Sequence, residues 1–246
     1  MNEGLTEVNA ARMAELAQRL AAVQRRVETA VEASGRGGEP PTLIVVTKFH
    51  PAADIRRLAA LGVHDVGENR DQEASSKAAE LAGLGLNWHF VGQLQSKKAK
   101  SVAKYAHAIH SVDRLALVDG LERAIAAEQE RTGRTALECF IQVSLDDDAG
   151  AHRGGSAPAE VPFLAERLAT AAGLKLAGVM AVAPLGATPA AAFEKLAAIS
   201  AALVTEHPAA TAISAGMSQD LEVAIRFGAT HLRIGSDILG SRPAVG

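Results

Sequence analysis

The chain has 246 residues, of which 48% are hydrophobic, 22% charged and only 3% aromatic, so its core must be largely aliphatic. The formal net charge of −3 gives no support for a nucleic-acid partner, which normally requires a basic surface. The single cysteine, Cys139, excludes an intrachain disulfide, and its apolar neighbours predict a buried, unreactive thiol.

The first predicted element is one long helix over residues 5–34. Leu16, Leu20 and Val23 recur there at spacings of three and four, and Gly35 with the breaker-rich loop behind it ends the helix. The acidic N-terminus lacks the basic region of a signal peptide, and no apolar run approaches the roughly 18 residues of a membrane span. We therefore expect a cytoplasmic protein without a membrane segment.

Short apolar segments then alternate with amphipathic ones along the rest of the chain. The predicted strands are 42–48, 63–68, 87–92, 108–112, 137–144, 175–182, 211–215 and 231–235. The predicted helices are 52–61, 70–83, 96–106, 114–132, 158–172, 188–206 and 218–227, the last with Ser218 as its N-cap.

This alternation predicts an α/β fold, a parallel sheet with helical crossovers. Eight strands in about 200 residues favour a closed (β/α)8 barrel of the TIM type over an open doubly wound sheet. No composition break marks a second domain. We expect residues 1–246 to form one domain, with the leading helix followed by a barrel over 42–243.

The sequence lacks the motifs of several common sites. No strand is followed by Gly-x-Gly-x-x-Gly or by a Walker-type loop, which argues against a dinucleotide or P-loop site. The eight histidines are scattered and none has metal-ligand spacing, so no metal site is predicted.

In such a barrel the carboxyl ends of the strands open onto one face, where ligands bind. Lys48 ends the first predicted strand, and its position alone fits a solvated amine as well as a reactive one. Ser214 and Gly216 follow strand seven, while Gly235 and Ser236 follow strand eight. Hydroxyls, backbone N–H groups and a helix N-terminus make an anion site, although ordinary turn and capping chemistry explains the same residues.

Arg233 lies in strand eight between Leu232 and Ile234, so its side chain must face the opposite way from theirs. A buried guanidinium requires a partner, which is either a carboxylate such as Glu68 or an acceptor on a ligand. An inward lysine, an inward arginine and a phosphate pocket together suggest a phosphorylated carbonyl ligand held as a Schiff base.

Several motifs along the chain carry a family resemblance. They are Val46-Thr47-Lys48 with Pro51, Gly67-Glu68-Asn69 with Gln72-Glu73, Trp88-His89-Phe90-Val91-Gly92, Ser111-Val112-Asp113, Ser214-x-Gly216-Met217-Ser218-x-Asp220, and Arg233-Ile234-Gly235 with Gly240-x-Arg242. Over about residues 10 to 243, the chain resembles the pyridoxal 5′-phosphate (PLP) homeostasis proteins of the YggS/PROSC type. Their fold is that of the alanine racemase N-terminal barrel.

The resemblance implies a role for each residue of the site. Lys48 would form the internal aldimine with PLP, and Arg233 would face the pyridine nitrogen. The cofactor-binding residues implied in this way are Lys48, Asn69, Ser214, Gly216, Met217, Arg233, Gly235 and Ser236. Of these, Ser214, Gly216, Gly235 and Ser236 would surround the phosphate, while Asn69 and Met217 would line the ring. His89 and Ser111 are expected to pack lower in the barrel.

The resemblance also bears on catalysis. An arginine cannot accept the proton of a pyridinium, so Arg233 would weaken the cofactor as an electron sink. Racemases of this fold add a second base, a tyrosine from an additional β domain. The only tyrosine here, Tyr105, falls in a helical stretch after strand three. We therefore expect a monomeric PLP carrier that supplies PLP-dependent apoenzymes and has no catalytic residues.

Two alternative functions would also use Lys48 as the reactive amine. One is a weak PLP-dependent amino-acid racemase, and the other is a cofactor-free Schiff-base enzyme of the aldolase type. One loop also departs from the family pattern, because Ser144 stands where Asn is usual and Arg153 stands where Lys is usual. An arginine forms no imine at neutral pH, so a second-lysine transfer role is not expected.

Overall fold

Eight parallel strands close into a barrel, each paired with its neighbours in chain order, in a computed structural model that describes residues 3–35, 40–146, 154–184, 186 and 188–241. The strands are β1 (Thr42–Val46), β2 (Asp65–Glu68), β3 (Asn87–Phe90), β4 (Ala106–Val112), β5 (Leu137–Gln142), β6 (Leu174–Met180), β7 (Ala212–Ser214) and β8 (His231–Ile234). Pairing of β1 with β8 closes the ring, with Ile44 beside Arg233. The predicted parallel (β/α)8 barrel is confirmed.

Helices follow the strands on the outside of the barrel. They are α1 (Glu3–Ala33), α2 (Ala52–Ala60), α3 (Asp71–Glu80), α4 (Ala99–Val102), α5 (Leu115–Thr132), α6 (Val161–Thr170), α7 (Pro189–Glu206), α8 (Leu221–Arg226) and α9 (Ser236–Leu239). Short 3-10 turns occupy Ala82–Leu84, Ser96–Lys98 and Pro158–Glu160. Within the part of the chain that the structure describes, no helix is both long and apolar enough to cross a bilayer.

Successive residues of the strands face alternately the core outside the barrel and the barrel interior, which is why the strands could be predicted from their apolar residues. Leu232 and Ile234 pack in the main core between strands and helices, whereas Arg233 points into the barrel, as predicted. Cys139 is fully buried in the same core, and burial raises the pKa of its thiol, which agrees with an unreactive cysteine. A second, small apolar cluster includes Ala108, Phe140, Ala177 and Met180; strand alternation from the outward-facing Ile109 and Ile141 turns Ala108 and Phe140 to the barrel interior.

The first strand is shorter than predicted. It ends at Val46, two residues before Lys48. Thr47 still donates its N–H to the Gly67 carbonyl at 2.9 Å, but its own carbonyl accepts from Lys77 Nζ at 2.9 Å. A side chain therefore replaces the strand ladder at this point, and Lys48 lies in a turn.

The helix predicted over 218–227 begins later than expected. Ser218 is not its N-cap, because α8 starts at Leu221 and Asp220 occupies the cap position. The Asp220 carboxylate accepts the Met217 N–H at 2.6 Å, which holds residues 217–220 in a turn instead of a first helical turn.

The helix predicted over 96–106 is likewise interrupted. Its first part is a 3-10 turn and α4 ends at Val102, because Ala106 pairs with Trp88 and opens β4.

The leading helix is fastened to the C-terminal part of the barrel. Arg26 of α1 binds Glu222 at 2.8 Å, Asp237 at 2.7 Å and the Ser218 carbonyl at 3.0 Å. These bonds connect α1 to α8, to α9 and to the turn between β7 and α8.

Candidate functional site

A cavity of about 560 Å³ opens at the carboxyl ends of the strands. Six of the residues predicted for the site line it, namely Lys48, Asn69, Met217, Arg233, Gly235 and Ser236. Phe49, His50, Val91, Gly92, Met180, Val182, Ser218 and Asp220 are among its other walls. The topology thus brings together segments that are far apart in the sequence, as expected for a barrel mouth.

A depression of about 630 Å³ lies on the outer surface between α1 and α8. Arg25, Arg26 and Arg226 border it, and Arg26 is already bound to Glu222. The barrel mouth is the stronger candidate, because buried polar side chains converge there from several strand ends.

Lys48 is followed by a strained residue. Phe49 has φ of +69°, a left-handed conformation that costs a bulky side chain about 1–3 kcal/mol. Its N–H donates to Glu73 Oε1 at 2.7 Å, and the Arg70 guanidinium lies 5.4 Å from the centre of its ring. These contacts hold the unusual turn that carries Lys48 to the cavity wall.

A buried network lies behind the same turn. Lys77 of α3 donates from Nζ to the Thr47 carbonyl at 2.9 Å, to Glu68 Oε1 at 2.7 Å and to Glu73 Oε1 at 2.6 Å. Thr47 Oγ1 also donates to Glu68 Oε1 at 2.7 Å. Burial raises the pKa of Glu68, while the bonds from Lys77 and Thr47 oppose that rise. The network fixes the backbone on both sides of Lys48.

The hydrogen-bond partners of Arg233 lie outside the network around Lys77. Its guanidinium is 5% exposed and donates from Nη1 to Ser214 Oγ at 2.6 Å and from Nη2 to the Ala181 carbonyl at 2.9 Å. The predicted alternative of a Glu68 partner is therefore wrong, since that carboxylate is bound to Lys77. Burial lowers the pKa of Arg233 to about 10, which still leaves it charged at neutral pH.

Two residues predicted for the phosphate are placed below the cavity instead of on its wall. Ser214 is fully buried, and its hydroxyl contacts Arg233 and His110. Gly216 has φ of +94°, and an added Cβ would lie 2.8 Å from the Ala224 Cβ, so the turn requires glycine there. Their contact with a phosphate stays a prediction.

The other two predicted phosphate residues do line the cavity. Gly235 precedes α9 and Ser236 begins it, so the first N–H groups of that helix have no partner inside it. Ser218 Oγ lies 3.4 Å from Ser236 Oγ across the gap between the two loops. Hydroxyls and N–H groups at one edge suit an anion.

The donor set of the cavity fits the cofactor that the sequence resemblance implies. It offers an amine for an aldehyde, N–H donors for a ring nitrogen and an anion-binding edge for a phosphate. Asn69 Oδ1 is buried and lacks a hydrogen-bond partner among the described residues, so it is available to a ligand. Gly92 is required beside it, because an added Cβ would lie 2.2 Å from the Asn69 carbonyl oxygen.

Sequence reasoning missed the polar interior below Arg233. His110 contacts Ser214 Oγ through Nδ1 at 2.8 Å and His89 Nδ1 through Nε2 at 2.9 Å, and His89 Nε2 contacts Asp65 Oδ1 at 3.0 Å. His89 was expected to pack only. A usable signal was present, since inward positions on β3 and β4 both carry histidine. Ser144, which departs from the family pattern, directly follows the isolated bridge between Val143 and Ser156, whereas Arg153 and Arg242 lie outside the described residues.

The buried histidines predict how stability depends on pH. Burial lowers the pKa of His231 to about 4 and holds that of His110 well below its usual value. The folded state then keeps both neutral, while the unfolded chain binds protons below about pH 6.5, so the free energy of unfolding should fall on acidification by about 1.4 kcal/mol per pH unit for each histidine.

Urea unfolding of His231→Phe between about pH 7 and pH 4.5 should show a shallower loss than the unchanged protein. Replacement of exposed His64 by glutamine serves as the matched control. Equal slopes for His231→Phe and the unchanged protein would contradict the assignment.

Comparison with known proteins gives a consistent family. The model of the family described as alanine racemase, N-terminal domain, matches residues 18–243. The pyridoxal phosphate homeostasis protein of Corynebacterium glutamicum is 42% identical over 223 residues, which cover 90% of this chain and 99% of that protein. The one of Escherichia coli is 34% identical over 236 residues, or 94% of this chain and 98% of that protein.

Solved structures that are similar to this chain include PipY and an alanine racemase. PipY of Synechococcus elongatus with PLP bound is 36% identical, has a TM-score of 0.74 and covers 92% of this chain and 100% of its own. The alanine racemase of Corynebacterium glutamicum, at 16% identity and a TM-score of 0.63, shares the fold over 95% of this chain and 62% of its own.

Proposed function

The chain belongs to the alanine racemase N-terminal domain family, and from that membership we propose that it is a PLP-binding homeostasis protein that holds its cofactor on Lys48. When bound, PLP supplies an aldehyde that a lysine amine takes up reversibly in a covalent C=N bond. The observation that carries the proposal is the meeting of Lys48, Arg233 and Ser236 in one cavity, in a chain whose relatives are named for PLP homeostasis.

Each residue of the cavity has a proposed task. Lys48 supplies the amine, and Arg233 donates to the ring nitrogen from the floor. Asn69 and Met217 flank the ring, and Gly235 and Ser236 bind the phosphate at the edge of the cavity. Ser214 and Gly216 act from below, where the first orients Arg233 and the second allows the turn that precedes α8.

We also propose that the protein carries the cofactor and does not use it in catalysis. Arg233 remains charged and has no lone pair, so it cannot accept a hydrogen bond from a protonated ring nitrogen, which is the form that an electron-sink role requires. The Tyr105 hydroxyl donates to Asp71 at 3.4 Å, and burial raises its pKa, so it stays protonated at neutral pH and is not available as a base. A carrier of this kind would act as a monomer in the cytoplasm and supply PLP-dependent apoenzymes.

Absorption spectroscopy and mass spectrometry test the proposal. Purified protein should take up added PLP and turn yellow, and borohydride reduction should leave a pyridoxyl group on Lys48. A colourless protein that takes up no PLP would contradict the proposal. A reduced adduct with a sugar phosphate instead would favour the aldolase-type alternative.

The carrier role predicts negligible racemisation. With alanine and other amino acids under saturating PLP, the initial rate should not exceed that of free PLP, because Tyr105, the only tyrosine of the chain, is not among the described residues that line the cavity. Chiral chromatography of the products measures this, with the C. glutamicum alanine racemase as a positive control. Turnover well above the rate of free PLP would establish the racemase alternative.

A further inference from the structure

Five polar side chains form one continuous chain of hydrogen bonds from the cavity floor through the barrel interior. Arg233 contacts Ser214 at 2.6 Å, Ser214 contacts His110 at 2.8 Å, His110 contacts His89 at 2.9 Å and His89 contacts Asp65 at 3.0 Å. Asp65 is the first residue of β2, at the opposite end of the barrel from the cavity. The chain thus joins the two ends of the barrel.

The chemistry of the two ends determines the direction of every bond between them. A guanidinium only donates, so Ser214 Oγ accepts from Arg233 and its own proton is left for His110 Nδ1. His110 then carries its proton on Nε2 and donates to His89 Nδ1. His89 in turn carries its proton on Nε2 and donates to the Asp65 carboxylate, which only accepts. Each group in the chain finds a partner for its proton.

The reverse direction is less favourable. His110 would donate from Nδ1 to Ser214, whose own proton would then need a third partner, and the described residues supply none by a hydrogen bond to that hydroxyl. His89 would also have to carry a positive charge to satisfy both His110 and Asp65. That would place a second cation in a buried chain that already ends on Arg233.

The surroundings support the first arrangement. His110 is fully buried and stacks on Phe140 with ring centres 4.2 Å apart, which fixes its plane. Burial, with the charge of Arg233, holds the pKa of His110 well below its usual value. Burial alone would raise the pKa of Asp65, but bonds from His89 and Asn87 outweigh it, so the carboxylate stays ionised.

We propose that Asp65, His89, His110 and Ser214 form a positioning chain in which the distant carboxylate fixes both histidine tautomers and thereby aims the Arg233 guanidinium at the cavity floor. None of these four side chains lines the cavity, so they act through Arg233 and not by contact with a ligand. The consequence for the ring nitrogen of PLP rests on the proposed function, whereas the tautomers do not.

Nitrogen-15 NMR of the labelled protein without PLP tests the direction of the chain. Long-range proton–nitrogen correlations should show His89 and His110 each as a neutral imidazole protonated on Nε2 at neutral pH. A proton on Nδ1 of His110, or on both nitrogens of His89, would overturn the proposal. This readout needs no variant and stands even if the protein takes up no PLP.

Two substitutions at Asp65 test whether the carboxyl end controls the chain. Asp65→Asn keeps an acceptor oxygen and should preserve both tautomers, while Asp65→Leu removes it and should leave His89 as a mixture. For Asp65→Leu the dissociation constant of PLP should rise about fivefold, the scale of one hydrogen bond.

His231→Phe is the matched control, because His231 lies near both rings but contacts Thr230 Oγ1 at 2.8 Å and is outside the chain. Unchanged tautomers in a folded Asp65→Leu protein would overturn the proposal, as would an equal loss of PLP affinity in His231→Phe. Circular dichroism establishes that each variant is folded. If the unchanged protein binds no PLP, the proposed function fails while the tautomer result is retained.

Discussion

Lys48→Ala is expected to abolish the visible absorption band that the PLP-loaded protein should show. Alanine removes the only lysine that lines the described cavity, so the aldehyde loses the covalent partner that we propose for it. Arg233 and the proposed phosphate-binding residues Gly235 and Ser236 remain, and non-covalent binding should persist with a dissociation constant at least about tenfold higher, or about 1.4 kcal/mol. Titration with PLP, followed by absorption and by equilibrium dialysis, measures both effects.

Lys100→Ala is the control for this prediction, because Lys100 is an exposed lysine on α4. It should bind PLP with the spectrum of the unchanged protein. Addition of a PLP-dependent apoenzyme should deplete the band of the unchanged protein, as a carrier requires. If the Lys48→Ala protein kept the full absorption band, Lys48 would not be the residue that binds the aldehyde of PLP.

Lys77→Met is expected to lower the free energy of unfolding by about 3–5 kcal/mol. Methionine leaves Glu68 and Glu73 without their cation, and Glu68 is only 1% exposed. The Thr47 carbonyl also loses one of its two donors and keeps only the His50 N–H at 3.1 Å, so the turn that carries Lys48 should loosen and PLP should dissociate faster. Urea unfolding and the decay of the absorption band after dilution measure the two effects.

Lys104→Met is the matched control, since Lys104 is exposed, and it should change stability by less than about 0.5 kcal/mol. Adding Glu68→Gln to Lys77→Met should restore part of the lost stability, because the unpaired buried charge is removed. A Lys77→Met protein as stable as the Lys104→Met control would show that the network contributes little.

The barrel was predictable because its signals are local. Apolar segments and breakers alternate along the chain. Strand geometry alone also predicts that Leu232 and Ile234 face the core outside the barrel while Arg233, between them, faces the barrel interior. The meeting of Lys48 with Gly235 also follows, since all strand ends of a barrel share one face.

The choice of polar partners was not predictable in the same way. Arg233 points into the barrel, whereas Glu68 does not line the cavity and is bound by Lys77 of α3, the helix that follows β2. That outcome depends on the rotation of α3 over β2, which no local pattern encodes. The pair of Glu73 and Lys77 at helical spacing was the available hint, because such pairs lie on one face of a helix.

Element ends were also missed, for related reasons. Lys48 lies beyond β1 because the Thr47 carbonyl accepts from the Lys77 side chain and from the His50 N–H, and not from a neighbouring strand. Asp220 displaces Ser218 as the start of α8 because its carboxylate binds back to Met217. Both outcomes are decided by one or two hydrogen bonds, whose energies are small beside the burial that defines the strands.

The attachment of α1 through Arg26 has a consequence for how the protein is made. Arg26 binds Ser218, Glu222 and Asp237, which follow it by 192, 196 and 211 residues. On the ribosome α1 is synthesised before these three partners, so its contacts with them can form only after almost all of the intervening chain has been made. In the same way, β1 can pair with β8 only after β8 has been synthesised. Arg233, Gly235 and Ser236 are therefore the last of the proposed cofactor-binding residues to be synthesised, and a nascent chain that stops before β8 lacks all three of them.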